Sequence, residues 1–120
     1  MSAEFSRWAP VSALRDEGRQ VRAQISIPAD CPWLEGHFPA RPILPGVALL
    51  ASVESILRRV RPGRPVLRIR HVRFRRVVGP GDELDVEIEI RSLGEDLRAR
   101  FRISDASGQV GKGTFHLGPA

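Results

Sequence analysis

Polar and apolar residues alternate with a period of two over most of the second half of the chain, and once before it. Over residues 19–27, Val21, Ala23, Ile25 and Ile27 face one way and polar neighbours the other, the pattern of a strand with one buried face. Residues 1–17 show no clear period and are expected to form an irregular lead-in. From Val47 the pattern changes. Residues 47–51 are a continuous apolar block, and Val53, Ile56, Leu57 and Val60 continue one helical face. This predicts a buried helix over residues 47–60. Arg58 and Arg59 suit the negative end of its dipole, and Pro62-Gly63 stops it. Residues 66–78 then read VLRIRHVRFRRVV. Leu67, Ile69 and His71 share one parity, Val72 and Phe74 the other, so a bulge or register shift is expected near His71. Gly79-Pro80-Gly81-Asp82 is a strong turn. Leu84, Val86, Ile88 and Ile90 alternate cleanly with Asp85, Glu87 and Glu89, and Leu97, Ala99, Phe101 and Ile103 repeat the pattern. Turns are expected at 94–96 and 105–108, with a last strand over 110–117.

One buried helix thus precedes a meander of about four antiparallel strands, with another strand upstream. A single sheet covers a helix on one side only. The natural solution is an α+β domain, residues 1–120, in which a sheet curls around the helix and a second subunit completes the open side. A chain of 120 residues with 42% hydrophobic content buries a smaller share of its surface than larger domains do, which favours oligomerisation.

Ahead of the helix, residues 36–50 read GHFPARPILPGVALL. Pro39, Pro42 and Pro45 stiffen this loop and keep the residues before them out of helical geometry. The loop delivers His37 beside a helix start, where unpaired N–H groups and the positive end of the dipole lie. That is a setting for chemistry on a carbonyl.

Composition narrows the picture. The net charge is +5, with 19 lysines and arginines against 14 acids, which permits an acidic partner. Nucleic acid is disfavoured, because no binding motif appears and the aromatics are not interleaved with the basic residues. The lone Cys31 excludes an internal disulfide and suits a reducing, cytoplasmic setting. No signal peptide or membrane-spanning run is visible. The three histidines and one cysteine have no metal-ligand spacing. His71 reads as structural, and His116 has no evident partner.

The stretch GHFPARPILPGV resembles the signature loop of the FabA/FabZ-type 3-hydroxyacyl-acyl-carrier-protein dehydratases. VRFRRVVGPGDEL resembles the strand and turn that follow in that family. The resemblance spans about residues 19–117, and the length is similar to small relatives from aryl-polyene pathways. It implies the hot-dog fold, a long helix wrapped by an antiparallel sheet, dimeric. It implies dehydration of 3-hydroxyacyl thioesters to trans-2-enoyl thioesters in fatty-acid, polyketide or aryl-polyene biosynthesis. No cofactor is expected, since the substrate rides on the phosphopantetheine of an acyl carrier protein.

By the resemblance, His37 is the catalytic base and the Gly46 N–H the oxyanion donor. Phe38, Pro45, Val47 and Leu50 are candidate substrate-binding walls. The family places an Asp or Glu fourteen residues after the histidine, supplied by the other subunit. Here that position is Ala51, and the family's usual Gln four residues on is Ser55. Glu54 is a possible substitute acid. The partner would therefore be a second copy or a related hot-dog subunit that carries the acid. Two alternatives are a degenerate acyl- or carrier-binding subunit and a hot-dog thioesterase using Glu54 or Glu35. Arg73, Arg75 and Arg76 are candidates for carrier docking.

Overall fold

A computed structural model describes residues 11–28 and 46–120. His37, Phe38 and Pro45, with Cys31 and Glu35, lie outside the described residues. Among the described residues, six strands form one antiparallel sheet around one helix. The elements are β1 (Val11–Asp16), β2 (Gln20–Ser26), α1 (Gly46–Val60), β3 (Val66–Phe74), β4 (Glu83–Leu93), β5 (Asp96–Asp105) and β6 (Gly108–Leu117). The sheet order is β1-β2-β4-β5-β6-β3.

The alternating residues form the core as the pattern requires. Val21, Ala23, Ile25 and Ile27, Leu84 to Ile90 at every second position, and Ala99, Phe101 and Ile103 are all buried. They pack against Ala48, Leu49, Ala51, Val53, Ile56 and Leu57 of the helix. The ring centroids of Phe101 and Phe115 lie 5.7 Å apart at 60°, a tilted pairing of the favoured kind. The helix ends at Val60, and Gly63 follows with φ +81°. Arg61 then pins this end, donating to Asp16 at 2.8 Å and to the carbonyls of Val60 and Gly18.

Two expectations are corrected. The lead-in contains a strand, because Val11–Asp16 pairs with β2. Its period is hidden by a register shift between Ser12 and Arg15 and by Ala13 at φ +50°. The meander is also three strands, β4-β5-β6, not four. β3 pairs with β6 at the far edge instead of with β4. The segment after β3 accordingly crosses back to β2, where Gly81 donates to the Ile27 carbonyl and Ile27 to that of Asp82. The turn at 79–82 is fastened by the Gly79 N–H on the Asp82 carboxylate at 2.8 Å.

The bulge expected near His71 is present. Arg70 pairs with Thr114 and Arg73 with Lys112, so two residues of β3 stand against one of β6. His71 adopts φ +57°, a left-handed conformation that histidine tolerates better than most residues. The extra residue reverses the parity of everything after it. Ile69, Val72 and Phe74 therefore share the helix side, while Arg70 and Arg73 point outward. The broken alternation in the sequence is this inserted residue together with a second register shift between Val66 and Arg68.

Candidate active site at the start of the helix

α1 begins at Gly46. As the first helical residue, Gly46 has an N–H with no acceptor four residues back, and it lies at the positive end of the dipole. The adjoining turn is only partly covered: Val47 is 54% exposed and Leu50 half-buried. Val47, Leu50, Glu54 and Arg58 fall within about 80° of the helix circumference at 100° per residue. This stripe is the side that the sheet leaves least covered.

The ring of Phe74 lies against the helix start. A Cβ placed on Gly46 would meet two atoms of that ring at 2.8 Å, closer than packed carbon atoms approach. On its other side the ring abuts Gly111, its register partner on β6, whose ideal Cβ would also overlap it. Phe74 thus occupies space that side chains at both glycines would need. Sequence reasoning did not single out Phe74. The signal was the bulge itself, which turns position 74 inward.

Ala51, which the resemblance sets at the family's acid position, is a buried methyl group, 2% exposed. Ser55, one turn on, is buried as well, and the neighbouring Ser52 hydroxyl donates to the Ala48 carbonyl at 3.1 Å. Glu54 shares the stripe with Val47 and Leu50. Its carboxylate lies 3.6 Å from the Arg58 guanidinium, and at about 1.5 Å per residue it stands roughly 12 Å along the axis from Gly46.

The arginines of the β3 segment separate. Arg73 is on the outer sheet face beside Lys112. Arg75 is exposed just past the strand, its backbone N–H bonded to the Val110 carbonyl. Arg76 is bonded to Asp105 and to the Gly108 carbonyl. That hydrogen bond raises the guanidinium pKa and holds the Asp105 carboxyl below the usual carboxylate value. His116 has a partner after all, because its Nε2 lies 2.7 Å from an Asp96 carboxylate oxygen on the adjacent strand.

The outer face also carries a groove of about 810 Å³ lined by side chains of β3, β4, β5 and β6. One cross-strand row through it reads Glu87, Arg102, Lys112 and continues beyond the groove to Arg73. The side chains of Arg70, Arg73, Arg100, Arg102 and Lys112 make no ion pair or hydrogen bond among the described residues. The Nε of Arg98 is buried there without an acceptor. Among the described residues, no cluster of three or more His, Cys, Asp or Glu could hold a metal, and no helix is long and apolar enough to cross a membrane.

A buried helix wrapped by a strongly curled antiparallel sheet defines the hot-dog class, and solved structures agree. The dehydratase heterocomplex ApeI:P from Xenorhabdus doucetiae superposes with a TM-score of 0.77 at 23% identity, over 91% of this chain and 96% of that one. The (R)-hydratase from A. caviae involved in PHA biosynthesis gives 0.69 at 22% identity, over 86% and 96%. Within that class the ApeI-like family, described as ApeI dehydratase, matches residues 13–114, and the chain belongs to it. The 3-hydroxyacyl-acyl-carrier-protein dehydratase FabZ of Aeromonas hydrophila is 31% identical over 107 residues, covering 81% of this chain and 70% of that protein.

Proposed function

We propose that the chain dehydrates 3-hydroxyacyl thioesters on an acyl carrier protein to trans-2-enoyl thioesters, with the acid supplied by a partner subunit. The observation that carries this reading is a dehydratase-family chain whose buried helix starts at Gly46, immediately after the His37 loop. An imidazole with a pKa near ambient pH suits removal of the α-proton. As that proton leaves, negative charge grows on the thioester oxygen, and a fixed N–H at a helix start stabilises it. Pro45 has no N–H to compete. The β-hydroxyl then departs as water once an acid protonates it. Val47 and Leu50 offer an apolar wall along which the acyl chain lies, and the family resemblance assigns Phe38 to the same role.

Within this chain the acid position is Ala51, and Glu54 is engaged with Arg58. The proposed partner is a related hot-dog subunit that carries the carboxylate. Its seam is the β3 edge, where Leu67 and Ile69 are 54% and 41% exposed. The relative from Xenorhabdus doucetiae is itself a heterocomplex. The carrier, an acidic partner, docks on the unpaired cations of the outer face, with Arg73 and Arg75 taking part and Arg76 held back by Asp105.

The test is turnover of a 3-hydroxyacyl carrier thioester by the chain alone and co-expressed with acid-bearing hot-dog subunits. Turnover is expected only in the pair, and His37→Ala within it lowers the rate by about 10²–10⁴-fold. Full turnover by the lone chain, lost in Glu54→Gln, would overturn the shared site in favour of Glu54 as the acid. The buried Ala51 and Ser55 support a second reading, a carrier-binding subunit without catalysis. It predicts tight thioester binding with no turnover in any pairing.

A further inference from the structure

We propose that Phe74 is a positioning residue for the thioester site: its ring, wedged between Gly111 of β6 and Gly46, fixes the first turn of α1. The inference rests on the reading of Gly46 as the oxyanion donor. Three observations converge on it. Ala48 and Leu49 bury one side of the first turn in the core, while Val47 is exposed and Leu50 half-buried, and the ring of Phe74 is what lies against Gly46 itself. Both neighbours of the ring are glycines whose Cβ atoms would overlap it. The inserted residue at His71 is what brings position 74 to the helix side of the sheet. The opposite end of the helix is tied separately by Arg61 to Asp16 and Gly18. The two ends are therefore held by independent devices, and the catalytic end is held by packing.

Helix ends fray because their terminal amides lack internal acceptors. A donor that must meet a developing charge loses most of its value if it wanders, since a displacement of about 1 Å can cost on the order of 10²-fold in rate. Packing a rigid ring against the first residue removes that freedom before substrate arrives.

The test uses the full chain, with its partner where activity is read. The variants are Phe74→Ala, Phe74→Leu, Gly111→Ala and the double variant Gly111→Ala/Phe74→Leu. The first readout is amide hydrogen exchange at Leu50 and Ala51, whose helical acceptors are the Gly46 and Val47 carbonyls. It needs no activity. Phe74→Ala should speed exchange there by about tenfold or more while Ile56 and Leu57 change by less than about threefold, as local opening at one end requires. The second readout is the split between kcat and KM. Phe74→Ala should lower kcat by roughly 10–100-fold with KM nearly unchanged, as for a lost transition-state interaction. Gly111→Ala pushes the ring toward the helix and should lower kcat on its own. Shrinking the ring should relieve that push, so the double variant recovers above Gly111→Ala, a coupling that independent sites do not show. Uniform exchange along the helix, or additive effects of the two substitutions, would overturn the proposal. If no pairing turns over substrate, the dehydratase reading fails, and the exchange data still decide whether Phe74 holds the helix start.

Discussion

Strand β4 keeps a strict period of two across its core-facing half, and Leu84, Val86, Ile88 and Ile90 are all buried. Strand β3 carries two register shifts and leaves most of its side chains exposed. β4 sits between β2 and β5 in the sheet, β3 at the edge beside β6. The regular strand has both ladders satisfied and one face in the core, so its value is stability. The irregular strand gives up regularity to aim one aromatic ring at the helix start, while Arg70 and Arg73 stay on the outer face. Irregular positions of this kind are where a fold re-aims side chains at a site.

The sharpest way to break this contrast is to insert one alanine between Val72 and Arg73. With the bulge kept, Arg73 would then stand against Gly111 on the helix side and Phe74 would turn outward. Burying an unpaired guanidinium makes a loss of more than about 3 kcal/mol the expected outcome in urea unfolding. An insertion variant with near-parental stability and unchanged exchange at Leu50 would remove the role given to Phe74. Next in size is Ile88→Ala on β4, where truncating a fully buried isoleucine should cost about 2–5 kcal/mol. Its effect belongs to global stability, so exchange should rise throughout the core without singling out the first helical turn.

Replacing His71 by glycine keeps the inserted residue and removes the left-handed strain. Glycine's greater unfolded freedom offsets part of the relief, so a gain of up to about 1 kcal/mol is expected. A loss on that substitution would mean that the imidazole itself has contacts that matter. Smallest of all is the exposed Arg76–Asp105 pair that ties the segment after β3 to the β5–β6 hairpin. The hydrogen bond from Arg76, followed by that from the Ser107 N–H, lowers the Asp105 pKa below its usual 3.8. A depressed carboxyl pKa contributes stability that is present above the unfolded value and is lost as pH falls through the folded one. The midpoint difference between the parent chain and Asp105→Asn should therefore be visible at neutral pH and fade below about pH 4. A difference that persists unchanged in acid would assign the effect to something other than the charge.

Most of the scaffold was legible because burial on one face writes itself as alternation. Residues 19–27, 84–90 and 97–103 read correctly for that reason, and the apolar block from Val47 announced a buried helix. β1 was missed because its edge position and its own bulge leave no alternation to read. The place of β3 was misjudged because neighbouring strands in sequence usually pair, and the pattern of one strand does not say which edge receives it. At the site, motif and dipole argument marked Gly46, whereas nothing in a linear reading joins Phe74 to Gly46, 28 residues before it, and to Gly111, 37 residues after it. The arginine trio 73, 75 and 76 was readable as charge, but only cross-strand geometry separates Arg76, committed to Asp105, from Arg73, whose side chain has no ion pair among the described residues.

The amino-acid sequence by itself determined the helix, the strands with one buried face, the family, and an alanine at position 51 where the resemblance leads one to expect a carboxylate. These are properties of residue type and spacing, which local physics carries. The tertiary structure alone decided that β3 closes the far edge, that the inserted His71 turns Phe74 inward, and that two distant glycines leave room for one ring. Such relations arise when separate segments compete for the same volume, and no single segment records the outcome.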